Sequence, residues 1–269
     1  MVKTISILLL LILLATGCAQ KSVSNHSHAH DAVPTRPLND RVLNCVVTSG
    51  HHVYEEETEC PLGGERFKAL NLGTHSTYGS YLDWEPISYM RFPVPIPVCP
   101  GNGFVIGEPE YNAEQVDKLA TVVQSDAYQH LYDQKHATYY LYAKILELSG
   151  QKSSDQWWLY LNATWEADNC GDRDRYKEYA YLVITESEKK LAGLSSDNEE
   201  YWVLKIIIPN MYRRIGEFQK AEEYLNKIGQ PTFASTDTNE HILLAKRLLA
   251  EAIYGRSMER VAIKEPKDS

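Results

Sequence analysis

The sequence predicts an α+β fold, mainly α, in which a small β-ribbon head precedes a helical-hairpin array. Three features carry that prediction. Pro and Gly crowd the stretch from Cys60 to Pro109 around short β-prone runs, a composition that suits a small ribbon. The apolar period changes to 3.6 after about residue 112, as amphipathic helices require. One short apolar run, Ile5–Leu14, opens the chain, and no later stretch is long and apolar enough to cross a membrane.

The opening run follows Lys3 and is too short for a finished bilayer helix, so it reads as a secretory signal. It ends in "LLATGC", residues 13–18, which resembles the lipobox of bacterial lipoproteins. The resemblance implies a signal peptide over 1–17 that is cut away, and acylation (palmitate-type chains) of Cys18 on its sulfur and its new amine. Several acyl chains anchor firmly where one holds only marginally. Ala19 follows the cysteine. By the sorting rule of enteric-type bacteria, that implies the outer membrane, with the body in the periplasm.

Removal of 1–17 takes away one charge, Lys3, and moves the net charge from −9 to −10. A negative body is a poor match for nucleic acid or anionic lipid, so membrane attachment is expected through the lipid alone. Residues 18–40 are polar and unpatterned and read as a flexible tether. It carries His26, His28 and His30, alternating imidazoles that could wrap zinc or copper. A solvated tether with no resident cofactor is the preferred reading, and a metal-binding or metal-sensing tether is the alternative.

The head spans 41–111. "RVLNCVVT" (41–48) and "HHVYEEETEC" (51–60) read as two strands around Ser49-Gly50, with short strands expected near Ile87–Phe92 and Gly103–Gly107. Glu55, Glu56 and Glu57 read as a solvated strand edge. "ECPLGGERF" (59–67) and "VCPGNGF" (98–104) look like zinc-ribbon knuckles with half their ligands missing. A full knuckle reads Cys-Pro-x-Cys-Gly, and here Gly63 and Asn102 stand where the second cysteine belongs. The glycines that permit the turn's positive φ remain: Gly63 or Gly64 in the first, Gly103 in the second. His51, His52 or Cys45 could substitute as ligands, but none has knuckle spacing.

The array spans 112–255, and residues 256–269 are expected to form a flexible tail. Val116, Leu119, Ala120, Val123 and Ala127 share one helical face after Asn112 as N-cap. Further helices are expected at about 137–148, 153–168 on a Ser cap, 174–191, 198–215, 217–228 and 239–254, seven in all. "IPNMYRRIGEFQKAEEYL" (208–225) resembles a tetratricopeptide repeat. Tyr212 takes its aromatic place, Gly216 its tight turn and Ala221 its small residue, while Pro209 departs from the pattern and is expected to kink its helix. Tyr139, Tyr140, Trp157, Trp158, Trp165, Tyr201 and Trp202 could line a groove, but at helical spacing core packing is preferred.

Two knuckles ahead of helices ending in "YRRIGEFQKA" resemble a bacterial family known as a domain of unknown function. Its members carry two Cys-Pro-x-Cys-Gly knuckles before tetratricopeptide-like helices. The resemblance runs from about Val53 to Ile228, includes "YLDWEPISYMRFPVPIPVCP", and implies the fold without implying an activity. Cys60 and Cys99 match positions expected to bind metal; Gly63, Asn102 and the lipobox depart from the family.

In an oxidising periplasm the four cysteines other than Cys18 are expected to pair. In a zinc ribbon the knuckles face each other. Taking out the metal and one thiolate from each side brings Cys60 and Cys99 within bonding reach and leaves Cys45 for Cys170. A remnant metal site on Cys45, Cys60, Cys99 and a histidine is the alternative. Phosphate-loop, nucleophile-elbow, His-Glu-x-x-His and dinucleotide patterns are all missing, so an enzyme is not expected. The preferred function is an outer-membrane lipoprotein that binds an unidentified periplasmic or envelope protein through its helical array. The alternatives are the metal-binding tether and a cell-envelope hydrolase without a recognisable motif.

Overall fold

Two tight turns organise the β part. A computed structural model describes residues 42, 43, 45, 53–108, 110–151, 153–231 and 236–263. In it β1 (Val53–Glu59) and β2 (Arg66–Leu72) pair antiparallel, from Val53 opposite Leu72 to Glu59 opposite Arg66. The first knuckle is the turn of this hairpin. β2 turns Ala69 and Leu70 inward, whereas Glu55, Glu56 and Glu57 of β1 lie exposed as the sequence suggests. A second pairing, β3 (Thr77–Tyr81) with β4 (Pro86–Ser88), precedes the second knuckle, which is flanked by a bridge between Val98 and Val105.

Strands β2 and β3 were not expected from the sequence. The strand expected at Ile87–Phe92 is reduced to Pro86–Ser88, where the Ser88 hydroxyl donates to the carbonyl of Ser76. The strand expected at Gly103–Gly107 is reduced to the bridge at Val105. Of the strand expected at 41–48, Leu43 makes a parallel bridge to Ala137, and most of the rest lies outside the described residues.

Eight helices follow among the described residues: α1 (Ala113–Val123), α2 (Asp126–Asp133), α3 (Thr138–Leu148), α4 (Gln156–Asn169), α5 (Arg173–Leu191), α6 (Glu199–Arg214), α7 (Phe218–Leu225) and α8 (Thr236–Tyr254). Asn112 caps α1 in a capping box with Gln115. The single helix expected across Val123 and Ala127 is broken in two by Ser125. Its hydroxyl donates to Val122 O at 2.6 Å and accepts from Tyr128 N at 3.3 Å, ending one helix and capping the next. The third expected helix starts at Gln156 and not on a Ser cap. Asp155 stands at its N-cap, but the carboxylate is drawn to Lys190 at 2.5 Å. α6 runs through Pro209 as one helix.

α6 also explains how the core is divided. Ile207 and Ile208 join a large cluster with α3, α4, α5 and the knuckles, while Trp202 and Ile206 join a second with α7 and α8. A helix apolar on most sides is one buried between neighbours. Its cation Arg213 is fully buried and holds the C-terminal segment, donating to Ser257 O at 2.6 Å and Glu259 O at 2.8 Å. That segment continues into β5 (Ala262–Ile263), which pairs with β3, and Ile263 is 2% exposed. The expectation of a free tail from residue 256 is therefore corrected up to Ile263: an internal arginine and a strand pairing hold it down. Head and array are not closed off from each other in sequence, since β5 completes the three-stranded sheet β4-β3-β5.

Candidate functional site

The knuckles share one backbone scheme. In the first, Cys60 N donates to Glu65 O and Gly64 N to Cys60 O; in the second, Cys99 N donates to Phe104 O and Gly103 N to Cys99 O. Gly64 has φ +71° and Gly103 φ +79°, the left-handed conformation that lets the chain reverse. Gly103 is required twice over, because a Cβ there would fall 2.6 Å from the Tyr132 ring.

The sulfurs of Cys60 and Cys99 are joined, with Cα atoms 5.7 Å apart, and the two residues are 1% and 0% exposed. Asn102, where the knuckle pattern expects a cysteine, adds a polar link between the two turns. Its Nδ2 donates across to Leu62 O at 2.6 Å, while its Oδ1 accepts from Phe104 N. Glu65 answers from the other side by accepting from Gly101 N at 2.9 Å. Tyr128 and Gln129 of α2 donate to Gly103 O and Asn102 O, docking the second knuckle on the array.

The second expected pairing is also present. Cys45 bonds Cys170 at the end of α4, with Cα atoms 5.1 Å apart. With Cys45, Cys60 and Cys99 all in disulfides, the remnant metal site is not formed. Among the described residues no group of three or more His, Cys, Asp or Glu could hold a metal ion. Cys18, His26, His28, His30, His51 and His52 lie outside the described residues.

The two disulfides differ in access: Cys45 is exposed and Cys170 half-buried, whereas the other pair is sealed. An exchange reaction needs an approaching thiolate, so exposure governs which bond yields. Graded reduction followed by alkylation and peptide mapping should label Cys45 and Cys170 well before Cys60 and Cys99. Simultaneous labelling of all four would contradict the difference.

A cleft of about 530 Å³ opens beside Cys170, between the β3–β4 sheet and the α4–α5 turn. Glu85, Arg91, Asp168, Asn169 and Arg260 supply its polar wall, and Tyr81 lies under the Arg260 guanidinium at 3.9 Å. Arg260 ion-pairs with Glu85, and its Nε lies 3.9 Å from Asp168 Oδ2. Asp168 in turn accepts from Arg214 at 2.8 Å and has Arg173 at 3.7 Å. Behind them, burial pushes the Asp83 carboxyl up, against the pull of Arg214 and Arg260. This wall of compensated charge joins residues 81–91, 168–173, 214 and 260, and no local spacing in the sequence announces it.

Two further buried groups serve structure. Glu166 accepts from Thr138 N, Thr138 Oγ1 and Tyr139 N, capping α3 in place of Ala137, and burial pushes it up to about 7. His136 stacks 4.1 Å from Tyr140, pairs with the Tyr179 hydroxyl at 2.9 Å and is lowered by burial to about 3. Of the aromatic residues singled out in the sequence, Tyr140, Trp157, Trp165 and Trp202 are core, Tyr139 and Tyr201 are partly buried, and Trp158 is 39% exposed. At the α6–α7 pair, Gly216 turns the chain at φ +84°, Ala221 is fully buried, and the Tyr212 ring centroid lies 5.4 Å from that of Tyr224.

Fold and site together define a disulfide-locked α+β body, mainly α, with a polar cleft where its sheet meets its helices. No family model, curated protein or solved structure matches the chain.

Proposed function

We propose that the protein is an outer-membrane lipoprotein whose body stands in the periplasm and binds another envelope protein. The observation that carries this reading is the cysteine arithmetic. Of five cysteines, four are paired in the structure, and the one left over is Cys18 of the lipobox. Disulfides persist in oxidising compartments, and an odd cysteine in an exported chain calls for a separate fate. Lipidation supplies one. The helical array is read as tetratricopeptide-like on the α6–α7 pair, and such arrays offer extended binding surfaces. The same reading makes the chain a degenerate member of the knuckle-and-helix family, with a disulfide and Asn102 in place of zinc.

The cleft supports recognition over turnover. Glu85 and Asp168 are each ion-paired with a guanidinium, so both carboxylates already hold a partner. An envelope hydrolase remains the second reading, because two carboxylates do share the cleft. It requires one of them to leave its arginine for a substrate. Replacement of Cys18 by Ser should move the protein from membranes to the soluble periplasmic fraction and abolish fatty-acid labelling. A variant that stays in the membrane fraction with its label intact would sink the lipoprotein reading.

A further inference from the structure

We propose that the cleft beside Cys170 receives a carboxylate carried on a short segment of the partner protein, with Arg91 as its main donor. The inference rests on the protein-binding reading above and names what the cleft recognises.

The polar inventory is lopsided. On the acceptor side, Glu85 and Asp168 are already paired with arginines, and the Ser88 oxygen accepts from Met90 N at 3.5 Å. On the donor side, Arg91 is exposed and uses one N–H, from Nη1 to Asn169 O at 2.9 Å. Among the described residues no carboxylate pairs with it. Arg260 Nε is buried beside Asp168 Oδ2 at 3.9 Å, which leaves Arg91 as the exposed guanidinium. A complementary ligand must therefore bring acceptors, and a guanidinium fork takes a carboxylate in two parallel hydrogen bonds.

The charge balance favours a single negative charge. Glu85 and Asp168 flank Arg260 and would repel a doubly charged group such as phosphate. Volume favours more than a bare ion, since about 530 Å³ is the size that takes a drug-sized ligand. Pro86, Ile87 and Met90 provide apolar wall for the atoms attached to the carboxylate.

The donor is held in place before any ligand arrives. Arg91 donates to Asn169 O, while Asn169 Nδ2 donates back to Phe92 O at 2.6 Å, strapping the two cleft walls together. The bland role of Arg91, closing the last carbonyls of α4, uses one of its donors and leaves the rest of the fork available. Pre-organisation of this kind lowers the entropic cost of binding.

Short acetylated peptides test the inference by NMR titration of the full-length protein in detergent. The probes are acetyl-Gly-Ala-Ala as the free acid, acetyl-Gly-Glu-Ala amide, and acetyl-Gly-Ala-Ala amide, which carries no acid. The first or second probe should shift the Arg91 Nε–H and Gly171 amide signals, and which of them does so separates a chain terminus from an acidic side chain. The third should not. Arg91→Gln should weaken binding about tenfold or more while lowering the melting temperature by no more than about 4 °C, the loss of one hydrogen bond. Arg91→Lys should restore only part of the affinity. Equal binding of the acid-free amide, or unchanged affinity in Arg91→Gln, overturns the inference. If a specific partner crosslinks in intact envelopes but no acid probe binds, the cleft assignment alone falls. Acid binding with no partner recovered removes the functional reading and leaves the carboxylate assignment standing.

Discussion

Replacement of both Cys60 and Cys99 by alanine should destabilise the protein by about 4 kcal/mol, the chain-entropy value for a loop of this length. The bond spans a sequence separation of 39 and closes the two turns on which the first ribbon and the second knuckle depend. Little else joins those turns directly. Asn102 reaches Leu62 O and Glu65 reaches Gly101 N, each a net contribution of about 1 kcal/mol. Against a total stability of about 5–15 kcal/mol, losing the bond removes a large share. Alanine is the right replacement because a serine pair would bury two hydroxyls as well. Chemical denaturation should show the loss, and hydrogen exchange should localise it to residues 53–107. A change below about 1 kcal/mol would mean that polar contacts and packing hold the knuckles without the sulfur bridge.

Arg213→Met is expected to cost about 3–5 kcal/mol, since it strips the donor from three acceptors at about 1–3 kcal/mol each. The guanidinium is fully buried and each of its nitrogens donates: Nε and Nη2 to Asn210 Oδ1 at 3.2 and 2.7 Å, and Nη1 to the carbonyls of Ser257 and Glu259. Burial, followed by the neighbouring Arg214, lowers its pKa to about 10, which still leaves it charged at neutral pH. Methionine fills the volume but orphans three acceptors. The C-terminal segment should then release, so exchange should rise at residues 257–263 and the β3–β5 pairing should open. Lysine should not rescue, because one ammonium cannot reproduce the planar fork. Full stability in Arg213→Met, with residues 257–263 still protected, would show that β5 and Ile263 hold the segment unaided.

Features encoded by a few adjacent residues were legible in the sequence. The knuckle turns follow from Cys-Pro and a glycine at fixed spacing, and the structure places Gly64 and Gly103 at positive φ as required. The disulfide pairing followed from the geometry of two facing turns and is the pairing found. Asn112, Gly150 and Gly216 marked helix boundaries correctly because capping is local.

The rest depends on partners far along the chain. Glu166 caps a helix that starts 28 residues before it, and Arg213 binds carbonyls 44 and 46 residues later. The two-residue strand β5 carries no periodic signal of its own. The cleft was invisible for the same reason, as the ion pair between Arg260 and Glu85 spans 175 residues. Ser125 was the exception: a local break was written in the sequence, and an apolar face that continued through Ala127 concealed it.

The central claim, a lipid-anchored envelope protein that binds another protein, is tested most directly by crosslinking in intact envelopes. A photoreactive residue placed at Ser88, on the cleft wall, should capture one specific protein from the living cell. The adduct should be lost in Arg91→Gln and should depend on membrane attachment through Cys18. Repeated recovery of no specific adduct, from a protein shown to be lipidated and folded with both disulfides intact, would contradict the account.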